Sequence, residues 1–335
     1  MKNRSLKSHI ALIFTLLLTS LFLYNCNESE EPANFPVGVF PDTVLNLAGL
    51  NSTFDDYNST AYEIVGALPI IFSSNRKSSG GQFDLEQGLI TFTFDKTDGR
   101  FEIGSGMIQD PFLSNLISKA VTPGNDFGPY TTYSSLDGME YFILSSENAE
   151  GNLDLRYLNH IPNFGSAQPE IYGPYPVKLL NTEFDDAYLT FDLSLDSAYF
   201  TSNIEGNFDI YFKLRPEGQD INQWFNSDYS SSAKVDSING SSDDKCPMVY
   251  NKMMVFTSNR PGGYGGFDLY YSIFRNGNWS SPVNFGPRIN SSSDEYRPLI
   301  GYHSEFSNLY MIFSSNRPGG TGGYDLYFTG IDTAY

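Results

Sequence analysis

FTSNRPGGYGGFDLYYS, residues 256–272, recurs almost unchanged as FSSNRPGGTGGYDLYFT from Phe313 and as FSSNRKSSGGQFDLEQG from Phe72. Two abbreviated copies, ILSSENAEGNLDLRYL from Ile143 and FTSNIEGNFDIYFK from Phe200, complete the set. Each copy is an apolar run, a loop of Ser, Asn and Gly, and a second run rich in Tyr and Phe, the pattern of two strands joined by a turn. The motif aspartates Asp84, Asp154, Asp209, Asp268 and Asp325 fall 55 to 70 residues apart, a period that suits a four-stranded unit with its loops. One small sheet cannot hide its own faces, whereas a ring of such sheets can, so the chain reads as all-β and as a β-propeller.

A second element precedes the copies at constant internal spacing: Asn51 with Asp55-Asp56, Asn181 with Asp185-Asp186, Asn239 with Asp243-Asp244, and Asn290 with Asp294-Glu295. In the second unit it is worn, Val121 standing at the Asn position and Asn125-Asp126 at the acids. Pro129, Pro247 and Pro298 each follow the second acid by three residues and support that alignment. Five units mean five four-stranded blades. Beyond the first 25 residues no segment has the length and 3.6-residue period of a long helix. The fifth unit stops after its third strand, Asp325 to Thr329, while Val44 to Leu47 occupies the place that outer strands hold elsewhere. Those two segments should pair antiparallel, so that an N-terminal strand closes the last blade and covers an open edge.

Ser258 to Tyr270 and Ser315 to Tyr327, read as Ser-Asn-Arg-Pro-Gly-Gly-x-Gly-Gly-aromatic-Asp-Leu-Tyr, together with the upstream Asn-x-x-x-acid-acid element, resemble the WD40-like repeat of TolB-like propellers. The resemblance covers about residues 44–329; it implies the fold and no particular activity.

At the amino terminus, Lys2, Arg4 and Lys7 precede an apolar run from Ile10 to Tyr24, shorter than the roughly 20 residues of an ordinary membrane span. The run ends in Leu23-Tyr24-Asn25-Cys26, which resembles the lipobox of bacterial lipoproteins. That resemblance implies a signal peptide over 1–25, lipidation of Cys26 and anchoring at the outer membrane. Asn27-Glu28-Ser29-Glu30-Glu31 resembles the surface-export signal of Bacteroidetes lipoproteins and implies cell-surface exposure. An acidic, Pro-rich tether over 26–41 would then lead into a propeller over 42–332. Several acyl chains anchor stably where one does not, at ~0.8 kcal/mol per buried methylene.

Composition narrows the partners. With 39 Asp and Glu against 20 Lys and Arg, the net charge is −19, and nucleic acid, whose binding depends on basic groups displacing counterions, is excluded as a partner. Two cysteines, Cys26 and Cys246, leave no disulfide framework once Cys26 is lipidated.

In a propeller the loop entering each inner strand and the loop between the second and third strands share one face. Asp56, Asp126, Asp186, Asp244 and Glu295, with Arg76, Arg260 and Arg317, are therefore the candidate ligand-binding face. The motif aspartates Asp84, Asp154, Asp209, Asp268 and Asp325 are expected to latch their loops by accepting hydrogen bonds, and the arginines to bridge to the acids. Joint coordination of Ca2+ by the acidic pairs is a further reading, although no dense Asp-x-Asp-x-Asp-Gly loop is present; no other cofactor is expected. From the second Ser to the motif Asp is ten residues in units one, four and five, but eight in unit two and seven in unit three, which also lack the Arg. One sector of the face should be lower and less cationic, a natural groove for a partner.

Candidates for catalysis are few. Past the leader only His160 and His303 remain, and Cys246 reads as a buried thiol. Glycoside hydrolysis needs two carboxylates with separated pKa values, whereas the repeated acids look equivalent. The sequence thus favours a non-catalytic lipoprotein that binds or scaffolds an envelope protein or glycan, and leans away from an enzyme. The alternative is a carbohydrate-active enzyme of the five-bladed glycoside hydrolase type using the face carboxylates.

Overall fold

A computed structural model describes residues 34–62, 67–162 and 168–332; the leader, Cys26 and the acids behind it lie outside the described residues. The chain forms five antiparallel sheets arranged as the blades of a propeller. Blade one is β2 (Asp56–Ala61), β3 (Ala67–Ser74), β4 (Asp84–Phe94) and β5 (Phe101–Met107); β1 (Leu45–Asn46) belongs elsewhere. Blade two is β6 (Asp126–Ser134), β7 (Met139–Glu147), β8 (Leu153–His160) and β9 (Ile171–Pro176), and blade three β10 (Asp186–Phe191), β11 (Ser197–Ser202), β12 (Asp209–Leu214) and β13 (Ala233–Lys234). Blade four runs β14 (Asp244–Tyr250), β15 (Met253–Ser258) and β16 (Asp268–Arg275), whose outer edge takes both β17 (Asn278–Trp279) and β18 (Val283–Asn284). Blade five is β19 (Glu295–Gly301), β20 (Leu309–Ser315), β21 (Asp325–Ile331) and then β1, with Leu45 opposite Phe328 and Asn46 opposite Tyr327. The ring is closed by both ends of the chain.

The second strands β11, β15 and β20 are buried at every residue. Each lies between its neighbours in the ring, so both of its faces need cover, and its sequence is a continuous apolar and hydroxyl run rather than an alternating one. The polar residues of the repeat join blade to blade. The first member of each acidic pair accepts the backbone N–H of the residue before the preceding motif Asp: Asp55 from Tyr324, Asn125 from Phe83, Asp185 from Leu153, Asp243 from Phe208 and Asp294 from Phe267, all at 2.8–3.0 Å. Asn51, Asn181, Asn239 and Asn290 pair in both directions with the peptide after that Asp, at Leu326, Leu155, Ile210 and Leu269. Burying these groups is tolerable because each finds its partner.

Two residues past the second acid every inner strand bulges at a residue with positive φ: Asn58, Gly128, Tyr188, Cys246 and Arg297. Four of the five bulge N–H groups donate to a Ser or Thr hydroxyl of the preceding blade's second strand, Ser314, Ser145, Thr201 and Thr257. The first hydroxyl residue of the motif is therefore a socket for the next blade's bulge.

Two short helices accompany the strands: α1 (Pro111–Ala120), capped by the Asp110 side chain on the Leu113 amide, and α2 (Ile221–Phe225), capped by Asp220. Leu113, Leu116, Ile117 and Ala120 turn one face of α1 into a buried cluster with β3, β7 and β8. Neither these nor any other described helix is long and apolar enough to cross a membrane. Residues 34–36 with the turn 95–100 form a small unit of their own, in which the Phe35 amide donates to the Lys96 carbonyl at 2.9 Å.

Candidate active site

Each second acid is the first residue of an inner strand and is fully buried: Asp56, Asp126, Asp186, Asp244 and Glu295. Each closes a tight turn by accepting the N–H four residues earlier, from Ser52, Thr122, Thr182, Gly240 and Ser291. One carboxylate oxygen is thereby committed to structure in all five blades.

The second oxygen divides them. In blades one, four and five it meets the motif arginine: Arg76 on Asp56 at 2.5 Å, Arg260 on Asp244 at 2.5 Å and Arg317 on Glu295 at 2.9 Å. Each arginine also donates to the motif Ser and to a carbonyl before the acid, of Leu50, Ile238 and Ile289 respectively. Blades two and three have no such cation. Asp126 receives the Ser146 hydroxyl at 2.6 Å instead. Asp186 Oδ1 sits beside the Ser202 hydroxyl without closing a hydrogen bond of good geometry, its other oxygen holding the Thr182 amide and hydroxyl.

Burial without a cation disfavours the charged form. It pushes Asp126 and Asp186 up to about 6, against the lowering effect of their Ser and Thr donors, with Asp84 and Asp154 adding repulsion from the neighbouring motif. Burial also raises Glu295 in spite of Arg317. The repeated carboxylates are therefore chemically unequal. The expectation of equivalence fails because it counted the acids and not the partner that each blade supplies some 20 residues later.

A cavity of about 150 Å³ opens over blade three, where the motif loop is shortest. Asp186, Thr182 and Ser202 line it together with Glu205, Tyr211 and Tyr229. Glu205 comes from the shortened loop itself; its side chain is 59% exposed and lies 3.0 Å from Lys234, which also bridges to Asp209 at 2.6 Å. The Tyr211 hydroxyl is buried with no hydrogen bond. Glu205 could have been singled out from the Ile204-Glu205-Gly206 turn, since it stands where blade one carries a cation two residues after Asn. Tyr211 and Tyr229 carry no comparable sequence signal.

The motif aspartates do not behave alike. Asp268 accepts the Tyr264 and Gly265 amides at 2.6 and 3.0 Å and the Asn284 side chain at 2.8 Å; Asp325 accepts the Thr321 and Gly322 amides. Gln82 donates to Asp84 at 3.3 Å, Asp209 is held by Lys234, and Asp154 Oδ1 is buried without a hydrogen bond. Asp268→Ala should cost ~1–3 kcal/mol by stranding loop donors. Urea unfolding measures it, and an unchanged midpoint would deny the latch.

A larger cleft of about 900 Å³ lies among the first-to-second-strand connections of blades three to five, at the opposite ends of the inner strands, lined by Tyr250, Met253, Tyr302 and Leu309. Its one carboxylate, Asp192, accepts the Asp196 and Ser197 amides on Oδ1 and has no second carboxylate beside it in the lining, whereas the smaller cavity holds Asp186 and Glu205 together. Among the described residues no three His, Cys, Asp or Glu side chains are grouped to hold a metal ion. His160 and His303 are buried apart from the acids, His160 3.3 Å from Glu140.

No protein-family model matches the chain, and no curated protein matches it in sequence. Solved structures match it in shape, the three that follow at 11% identity each. A thermostable family-43 glycoside hydrolase aligns with a TM-score of 0.53 over 85% of this chain and 91% of its own. A GH43_1 enzyme from Xanthomonas citri gives 0.52 over 86% and 91%, and an endo-arabinase from Bacteroides thetaiotaomicron 0.51 over 86% and 97%. Three expectations are corrected here. The solved propellers named above are glycoside hydrolases, not TolB-like WD40 propellers; the repeat residues that carried the TolB resemblance are used in stitches between blades, which report how the ring is joined. The non-catalytic binding or scaffolding reading, and the leaning away from an enzyme, fall with it, since they also rested on carboxylates that the structure makes unequal.

Proposed function

We propose that the protein is a carbohydrate-active enzyme that cleaves glycosidic bonds over blade three, with Asp186 as general acid and Glu205 as its carboxylate partner. One observation carries this: a buried acid raised to about 6 and a solvent-reaching carboxylate line the same cavity. Asp186 holds its proton up to about pH 6 and gives it to the glycosidic oxygen as the C–O bond breaks. Glu205, 3.0 Å from Lys234, takes a proton from the attacking water or stabilises the cationic sugar. Tyr229, half exposed at the rim, offers a ring face for stacking. The fold of the matched hydrolases is compatible with this chemistry. Screening polysaccharides and aryl glycosides for released reducing ends tests it: turnover on one class is expected, and no turnover on any would reject the proposal.

We further propose that the enzyme works at the outer membrane, tethered by lipid on Cys26 and exposed to glycans outside the cell. Cys26→Ser should shift the protein from the membrane to the soluble fraction and abolish labelling by a palmitate analogue; labelling that survives would exclude this anchor.

A further inference from the structure

We infer that the axis of the propeller binds one small, weakly hydrated monovalent anion, held by Arg297 and Asn58. Arg297 occupies the bulge of β19 and is 2% exposed. Its side chain leaves blade five and reaches blade two, where Nη2 donates to the Gly128 and Pro129 carbonyls at 3.4 and 3.2 Å. Nε and Nη1 have no hydrogen-bond partner. Blade one lies between those two blades in the ring, and its bulge residue is Asn58, fully buried, with neither amide atom in a hydrogen bond of good geometry although the Tyr188 hydroxyl is beside it.

Three buried donors, two on the charged guanidinium and one on the Asn58 amide, thus lack a hydrogen-bond partner, with Tyr188 beside both residues. A buried guanidinium normally meets a carboxylate; among the described residues Arg297 forms no ion pair, and the groups acting on it are Cys246, Tyr188 and Tyr130. Burial keeps all three neutral, Cys246 pushed up to about 12. The Tyr188 ring, 5.5 Å from the guanidinium carbon, softens the charge without neutralising it. Water would satisfy the hydrogens and leave the charge, whereas an anion answers both. Above the bulges Tyr57, Phe127, Tyr296 and Tyr324 form a linked aromatic layer. An ion behind it must shed its hydration, so bromide, chloride or nitrate should enter in preference to fluoride or sulfate.

The test uses the full chain in detergent, titrated with sodium bromide against sodium fluoride at constant ionic strength. Bromide should raise the unfolding midpoint saturably by about 2–5 °C, fluoride should not, and Arg297→Met should lose the bromide response. Crystals of the unaltered protein soaked in bromide should show an anomalous peak within hydrogen-bonding distance of Arg297 Nε, a readout that stands if the variant fails to fold. Equal responses to the two salts, or no bromide peak beside Arg297, overturns the inference. Loss of glycosidase activity has no bearing on either measurement, so the site and the proposed function fail separately.

Discussion

Replacing Asp186 with Asn lowers glycoside turnover by ~10²–10⁴-fold, the usual worth of a positioned general acid, while leaving the protein at least as stable at pH 7. The second half of that outcome separates catalysis from a latch. The amide keeps an oxygen that can accept the Thr182 N–H, now 2.6 Å from Oδ2, so the turn can persist. What disappears is a carboxyl whose proton the folded state holds to about 6, against ~3.9 in an unfolded chain. The folded form binds that proton more tightly, so its contribution to stability is complete below about pH 4 and is lost as pH rises through 6. A rise of that size is worth ~2–3 kcal/mol, discounted for the incomplete burial of the site. Asp126 titrates in the same window, and burial raises Glu295, Asp154, Asp209 and Asp325 too, so the variant should lose part of the fall in stability between pH 4 and pH 7 and keep the rest. Denaturant midpoints at the two pH values, together with the pH–rate profile of the unaltered enzyme, measure all of this. Its basic limb should lie near 6. Turnover within threefold of the parent, or a loss that tracks a lowered unfolding midpoint, would remove Asp186 from the reaction and return it to the role its four counterparts play.

That Asp126 and Asp186 differ from the other repeated acids could be read only in part from the repeat. Residues present in every unit proved to be joints: Asn181 and Asp185 do in blade three what Asn290 and Asp294 do in blade five. Such roles were legible because a group used once for chemistry need not recur, whereas a joint must. The proposed site lies where the repeat is broken. The missing arginines and the short loops of blades two and three are visible in the sequence, and so is the sector they lower; what they do to the carboxylate beneath depends on burial, which needs coordinates. Tyr229 enters from a stretch with no repeat at all. Helix α1 has a local sequence signal, Asp110-Pro111 being a cap followed by a helix-compatible first residue and Leu113, Leu116, Ile117 and Ala120 having helical spacing; at ten residues it is not the long helix that the pattern excludes.

A chain that starts at Asn51 should lose most of its stability compared with one that starts at Asn34. The segment removed does more than supply β1. Phe40 is 1% exposed, stacks on Phe306 at 3.8 Å with the rings 6° from parallel, and meets Phe92, Phe101, Tyr310 and Phe328 edge-on. Its peptide is gripped by the Asn308 side chain, which accepts the Phe40 N–H at 2.8 Å and donates to the Phe40 carbonyl at 3.0 Å. Leu47 and Leu50 are buried as fully, and the Leu47 amide donates to the Leu326 carbonyl. At ~1.5–3 kcal/mol for each buried side chain, these three alone account for about 5–9 kcal/mol, against a total of about 5–15 kcal/mol for a typical domain. Phe40→Ala by itself should cost ~3–5 kcal/mol, because the cavity it leaves is walled by rings that cannot collapse freely. The truncated chain also bares the backbone edge of β21, so concentration-dependent association should accompany the loss. Guanidinium unfolding and light scattering on the two chains measure both effects. A chain from Asn51 with an unchanged midpoint would mean that closure by the N-terminal strand is incidental, and that blade five stands on three strands.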